Sequence, residues 1–297
     1  METKSFPKEI KLGEDYPIWH YTSPEVFTKL LNNEIYATHF RFLNDDMEIS
    51  YAIKVWRDYI QSVSPNQELN HYVNSMLKHD VYVMCFSTNG DSLPLWRAYT
   101  PKTGGFSIGF SRNQIITSLL NHSNSLIENN KESEEQIEWN LLKCNYYSEE
   151  QLKDHLSELY QQMNKKNYYS SIGDFFNNLF DFSGIMAIIE LILTYKHTTF
   201  ATECEERILG YGTYFDGNDE VSKSLKLKGN TRNSIEFIGG KPRVKIPLAS
   251  VRNCIKSVTV SPHGDKELNF YLAELFRDKY KLENLEIKKS SSPYNGK

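Results

Sequence analysis

The seven residues Val81–Ser87 (VYVMCFS) constrain the fold more than any other segment. They carry no charge, are rich in β-branched and aromatic side chains, and run into the turn sequence Asn89-Gly90-Asp91. Such a run reads as a buried strand, which needs a sheet around it. A second strand is read from Phe106, Ile108 and Phe110 alternating with Ser107 and Gly109. Shorter strand signals cover Ile18–Thr22 and Ile35–Thr38 on one side, and Thr202–Leu209, Arg243–Pro247 and Ile255–Val260 on the other.

Helical signals lie between and after these strands. Ser23-Pro24-Glu25 supplies an N-cap, a proline at the first helical position and an acid in the first turn. Val26, Phe27, Leu30 and Leu31 then share one face, and Asn32-Asn33 ends the helix. Asn44-Asp45 caps a longer helix with Ile49, Ala52, Ile53, Trp56 and Ile60 in one stripe. Further helices are expected over Glu149–Lys165, Ile172–Leu193 and about Asp265 to Tyr280, with a Leu141–Tyr147 strand among them and a loose SSSPYNGK tail. Strands at both ends with helices between them predict one α+β domain over residues 1–297, carrying a helical insertion at about 115–195. The 39 aromatic rings (19 Tyr, 16 Phe, 4 Trp) are ample for its core.

Four cysteines (Cys85, Cys144, Cys204, Cys254) are spread 50 to 60 residues apart, without any C-x-x-C. That spacing argues against a disulfide scaffold or a zinc site and for buried, reduced thiols. Met1 to Asp15 is charged and reads as no signal peptide, and the apolar run Gly184–Tyr195 is too short for a bilayer. A cytoplasmic location with no membrane partner is therefore expected.

The net charge of −4 conceals an asymmetry. Val221 to Lys256 contains nine Lys/Arg and one acid, Glu236, whereas Lys131 to Glu158 contains eight acids and three Lys. A basic segment on an acidic chain is either a polyanion site or a solvated face balanced by acids elsewhere.

Among chemical motifs, G-x-x-x-x-G-K-[ST], G-x-G-x-x-G and H-E-x-x-H are all missing, and no histidines pair at metal-ligand spacing. Gly239-Gly240-Lys241 reads as a hairpin turn more readily than as an anion nest. Gly105–Gly109 is literally G-x-S-x-G, but a nucleophile elbow needs a strand before it and a helix after its serine. Here a turn precedes it and Ser107 sits inside a strand, so a serine hydrolase is disfavoured. Glu203-Cys204-Glu205-Glu206-Arg207 is more informative. On a strand from Thr202, Glu203, Glu205 and Arg207 share a face, either as a solvated edge or as carboxylates placed to hold a sugar hydroxyl or a developing cation. His20 and Thr22 end an apolar strand, where a lone His is more often a satisfied core residue, and Ser87-Thr88 end a buried one, which also fits hydroxyls capping backbone groups at a strand-to-turn transition.

In order along the chain, WHYTS (19–23), Leu43–Glu48 with its Asn-Asp pair, Cys85-Phe86-Ser87, Trp96-Arg97-Ala98-Tyr99, Gly105–Phe110, and Lys196, Phe200, Glu203, Glu205 and Arg207 form a recognisable pattern. It resembles a widespread bacterial family of domains of unknown function, over roughly residues 16–265, with Asp46 where that family usually has proline. The arrangement also resembles the ADP-ribosyltransferase fold, including DarT-type DNA-modifying toxins. In that superfamily a His or Arg, a Ser-Thr or Tyr element and a Glu lie on successive core strands. This chain has Asn89 after Ser87-Thr88, where a further Ser would be usual, and no Gly-rich NAD loop.

The resemblance implies an ADP-ribosyltransferase-like mixed sheet and NAD as co-substrate, without a metal. It implies catalysis by Glu205 and Glu203, with His20, Tyr21, Thr22, Ser87, Thr88, Trp96 and Tyr99 around the NAD. It further implies a toxin or phage-defence role with a possible antitoxin partner. Lys241, Arg243 and Lys245, in the basic segment, would hold an RNA or single-stranded DNA acceptor. The alternatives are a non-enzymatic nucleic-acid or nucleotide-binding module and a hydrolase such as an NAD glycohydrolase.

Overall fold

The computed structural model describes residues 12–43, 46–63, 81–128, 137–165, 182–212 and 234–293. Strand β3 (Val81–Ser87) is fully paired along one edge with β8 (Glu205–Gly212), from Val81↔Tyr211 to Ser87↔Glu205. Its other edge is divided. β1 (Pro17–Thr22) meets it at Trp19↔Ser87, and β2 (Tyr36–His39) at Thr38↔Val83 and His39↔Tyr82. Between those contacts β1 and β2 part, and among the described residues the edge of β3 at Met84–Phe86 has no strand partner there.

The sheet extends from each branch. Beyond β1 lie β4 (Phe106–Ser111), β11 (Ile255–Val260) and β12 (Glu286–Lys289). Beyond β2 lie β10 (Lys241–Lys245) and β9 (Ile235–Ile238), and beyond β8 lies β5 (Ile137–Lys143). Among the described strands of this sheet every pair is antiparallel except β11 with β12. Gly239 and Gly240, with φ of 61° and 74°, make the two-residue β9–β10 hairpin turn, a geometry that penalises a side chain at both positions. The mixed α+β class is as expected.

Helices cover both faces. On one side α1 (Pro24–Leu31), α4 (Arg112–Glu128), α7 (Val251–Cys254) and α8 (Lys266–Lys279) bury Phe27, Leu31, Ile115, Val251 and Ala273 against Ile18, Phe106, Ile108 and Phe110. On the other, α2 (Asp46–Val63), α5 (Glu149–Lys165) and α6 (Phe182–Thr194) pack Ile49, Trp56, Leu152, Leu156, Ile188 and Ile192 over Val83 and Leu209. Each fully buried apolar side chain of this size contributes roughly 1.5–3 kcal/mol. Ser23 caps α1, its hydroxyl accepting from the Val26 amide. The proposed Asn44-Asp45 cap of α2 lies outside the described residues, as do residues 172–181 of the helix expected over Ile172–Leu193.

Four expectations are corrected. The single strand expected over Leu141–Tyr147 within the 115–195 segment is two: β5 joins the main sheet, while β6 (Asn145–Tyr147) pairs with β7 (Tyr195–His197). Cys144 separates β5 from β6, its amide donating to the Glu205 carbonyl at 2.9 Å. The strand expected from Thr202 begins at Glu205, because Thr198–Glu203 is a 3-10 helix and Cys204 turns through a left-handed conformation (φ 47°). That turn leaves Cys204 exposed rather than buried. The tail is held through Ser290–Ser292: Asp91 accepts from the Ser290 and Ser291 hydroxyls and the Ser291 amide, and the Ser290 hydroxyl accepts from the Ser292 amide.

No helix among the described residues is long and apolar enough to cross a membrane.

Candidate functional site

Where β1 and β2 part, the unpaired backbone of β3 must be satisfied by something other than a strand. His20 does this at Cys85, its Nδ1 lying 3.0 Å from the Cys85 carbonyl. A carbonyl only accepts, so Nδ1 carries the proton. Burial holds the imidazole below its ordinary pKa, and the charge of Arg243 acts in the same direction against the Cys85 bond. The neutral ring therefore leaves Nε2 as an acceptor.

The parting of the strands opens into a cavity of about 330 Å³. Val26 and Leu30 of α1 line it, as do Glu205 and Arg207 of β8, whose side chains lie on the opposite face of the sheet. Its walls carry Glu203, Glu205 and Arg207 on the β8 side and Lys241 and Arg243 on β10, with Lys29 of α1 and Glu34 just before β2 also lining it. Trp19, Tyr36, Phe42 and Tyr99 add aromatic surface.

The Glu205 side is built by β8, β7 and the turn between them. Glu205 is 7% exposed, and Arg207, two residues along the same face, donates from Nε to its Oε1 at 2.7 Å. Lys196 of β7, 1% exposed, places Nζ 2.6 Å from Glu205 Oε2 and 2.5 Å from Glu203 Oε2. Burial alone would raise the Glu205 carboxyl, but the charges of Arg207 and Lys196 overcome it and hold the pKa at about 2. Arg207 is held charged, its pKa raised by Glu205 despite burial. It also donates to the Leu193 carbonyl at 2.6 Å. The solvated-edge alternative for this segment is thereby excluded: β8 is interior, flanked by β3 and β5. Glu203, which was expected to share a strand face with Glu205, instead reaches it through Lys196 from the 3-10 helix.

The turn carrying Glu203 is anchored to the end of β3. Ser87 donates from its hydroxyl to the Glu203 carbonyl at 2.6 Å and accepts from the Asn89 amide at 3.0 Å. The Thr88 amide donates to the Cys204 carbonyl at 2.8 Å, and the Glu205 amide donates to the Tyr146 hydroxyl at 2.6 Å. Phe200 packs beside Lys196, whose ammonium lies 5.3 Å from the ring centre.

Of the residues singled out in the sequence, Glu203, Glu205, His20, Tyr21, Thr22, Ser87, Tyr99, Lys241 and Arg243 all line the cavity. Tyr21 is nonetheless committed to structure: its hydroxyl donates to the Asn89 carbonyl and accepts from the Ser92 amide, both at 2.8 Å. Three residues do not line the cavity. Trp96 is wholly buried, stacked edge-on against Tyr21, with its indole N–H donating to Asp91 at 2.8 Å. It is therefore a core residue, not a pocket ring. Thr88 contributes backbone, and Lys245 is exposed opposite Tyr36.

The central role of Lys196 was not read from sequence, although it belongs to the motif. Its signal is a lone lysine directly after the apolar run ending at Tyr195. Ser107 lies fully buried within β4, opposite Tyr21 and Thr259, so the G-x-S-x-G stretch is a strand and not an elbow. Among the described residues no group of three or more His, Cys, Asp and Glu converges as a metal site would require.

Residues 95–208 match the model of a family described as a protein of unknown function (DUF2971). That span includes α3 (Leu93–Tyr99) from Leu95 onward, β4, and the whole Lys196–Arg207 cluster. No curated protein and no solved structure matches the chain.

Proposed function

We propose that the cavity binds NAD and that the protein is an ADP-ribosyltransferase with a single-stranded nucleic acid as acceptor. The observation that carries this proposal is the convergence, at the parting of β1 and β2, of the permanently ionised Glu205, the neutral acceptor His20 and the cations of β10 in one cavity. Cleaving the bond between nicotinamide and ribose develops positive charge on the sugar, and a fixed carboxylate stabilises that charge as it forms. Glu205 meets the requirement because its neighbours keep it charged at any physiological pH. His20 Nε2 and the Thr22 hydroxyl offer partners for the adenosine half.

In the transfer step the C1′–N bond breaks and nicotinamide leaves with the electron pair. An acceptor oxygen or nitrogen bonds to C1′, and its proton passes to Glu203, the less enclosed of the two carboxylates (19% exposed). Exposed aromatics at Phe42 and Tyr99, which line the same cavity as Lys241, suit the stacking of an unpaired base.

The test is incubation of the purified protein with labelled NAD, with and without single-stranded oligonucleotides, measuring released nicotinamide and the molecule that becomes labelled. No release under any acceptor condition would favour the second reading, a nucleotide-binding module without catalysis. One observation supports that alternative: both Glu205 oxygens are already held by Lys196 and Arg207.

A further inference from the structure

Arg243 sits on β10 opposite Thr38 of β2 and Glu236 of β9, with its side chain on the cavity wall. Its Nε is buried without a hydrogen-bond partner, and among the described residues its side chain forms no ion pair. This sets the half-buried Arg243 apart from the two buried cations of the site, Lys196 and Arg207, each of which is bonded to carboxylates. A buried guanidinium N–H without an acceptor is costly, and the planar fork of donors matches phosphate oxygens in particular. His20, on which its charge acts, is held neutral, and Glu236 across from it on β9 accepts from the Tyr36 hydroxyl.

We propose that Arg243 is the anion anchor of the cavity and binds the diphosphate of a small nucleotide. The inference rests on the nucleotide reading of the cavity, but it concerns the ligand's phosphates and not the chemistry at its sugar. It also changes the role of Arg243 from holding a nucleic-acid acceptor, as the basic segment suggested, to holding the phosphates of the cavity's own ligand. Lys241, two residues away and also on the wall, lies within reach to share the charge. The carboxylates on the β8 side would repel a phosphate and so orient the ligand, phosphates toward β10 and sugar hydroxyls toward β8.

The probes are inorganic pyrophosphate, ADP and adenosine, titrated calorimetrically into the intact chain, the variants Arg243→Met and Arg243→Lys, and the control Lys256→Met. Lys256 is an exposed cation of the same basic segment outside the cavity. Melting curves establish that each variant is folded; removal of an unpaired cation should not lower the midpoint. The expected result is pyrophosphate and ADP binding weakened roughly 10- to 100-fold in Arg243→Met, partly restored in Arg243→Lys and unchanged in Lys256→Met. Adenosine should be affected far less than ADP.

NAD cleavage is followed in parallel, so the two proposals can fail separately. Weakened ADP binding in Arg243→Met, alongside a wild-type protein that never releases nicotinamide, keeps the anchor and removes the transferase. Active turnover with unchanged pyrophosphate affinity and unchanged KM in Arg243→Met keeps the transferase and overturns the anchor. Absence of pyrophosphate and ADP binding by the wild type at millimolar concentration also overturns it, as does loss confined to oligonucleotide binding.

Discussion

Lys196 Nζ stands 2.6 Å from Glu205 Oε2, and the ammonium is 1% exposed. A buried cation in that position is tolerated only while its carboxylates remain, and removing one partner of such a pair typically costs 3–5 kcal/mol. Lys196→Met is therefore expected to lower unfolding stability by about that amount in a denaturant titration. Lys196→Arg should recover part of it, because the charge is kept but the longer fork misfits the two carboxylates. A Lys196→Met protein as stable as wild type would mean the cluster is not structurally coupled.

The same pairing sets a pH dependence. Glu205 has a folded pKa of about 2 against an ordinary 4.5, so its ionised form is favoured by folding. The stabilisation is complete above 4.5 and is lost as pH falls from 4.5 toward 2; its size is on the order of 3 kcal/mol. Stability measured at decreasing pH should fall through that window. In Glu205→Gln the acid-linked loss should shrink, on top of a lower stability at neutral pH from the two cations left behind. An unchanged acid slope in that variant would remove Glu205 from the account.

Ser87 offers a test of positioning apart from chemistry. Its hydroxyl holds the Glu203 carbonyl and touches neither carboxylate, so Ser87→Ala should cost about 1 kcal/mol of stability. If the turn sets the reach of Glu203, acceptor transfer should fall roughly tenfold while KM for NAD stays put, since about 1.4 kcal/mol of lost positioning corresponds to that factor. Ser87→Thr, which keeps the hydroxyl, should restore transfer. Equal losses of binding and transfer would assign Ser87 to the NAD pocket instead.

Asp91 ties three parts of the chain together. Its Oδ1 accepts from Trp96 Nε1 and the Ser290 hydroxyl, and its Oδ2 accepts from the Ser291 amide and hydroxyl. Asp91→Ala should destabilise the protein by about 2 kcal/mol and make the chain after Lys289 sensitive to brief proteolysis. A tail equally protected in wild type and variant would show that Asp91 is not its anchor.

Much of the frame was legible because period and capping act locally. Val81–Ser87 is a strand with the expected bounds, Ser23 caps α1, and Asp265 and Tyr280 flank α8. The errors came where distant partners decide. Nothing near Cys204 announces a left-handed residue, and the turn exists because Ser87, Thr88 and Tyr146 hold it from elsewhere in the chain. Trp96 read as a pocket ring by its place in the motif, but Asp91 and Tyr21 claim it for the core. The convergence of His20, Glu205 and Arg243 likewise depends on the divided edge of β3, which no local pattern encodes.

Glu205 and Glu206 are consecutive in β8 yet belong to different environments. Glu205 faces the cavity, while Glu206, 1% exposed, turns to the opposite layer, where it takes Arg112 at 2.8 Å and the Tyr16 hydroxyl at 2.5 Å. Strand pleating is the only thing that distinguishes their roles. Sliding β8 one residue along β3 would exchange them, presenting Glu206 to the ligand and stranding Arg207 among apolar side chains beside Ile18 and Phe110. Arg112 and Lys196 thus act as two detents, one on each layer, that lock β8 in a single phase. Insertions in the surface connections should be borne without harm, whereas one extra residue between Lys196 and Arg207 would scramble the site while leaving its composition intact.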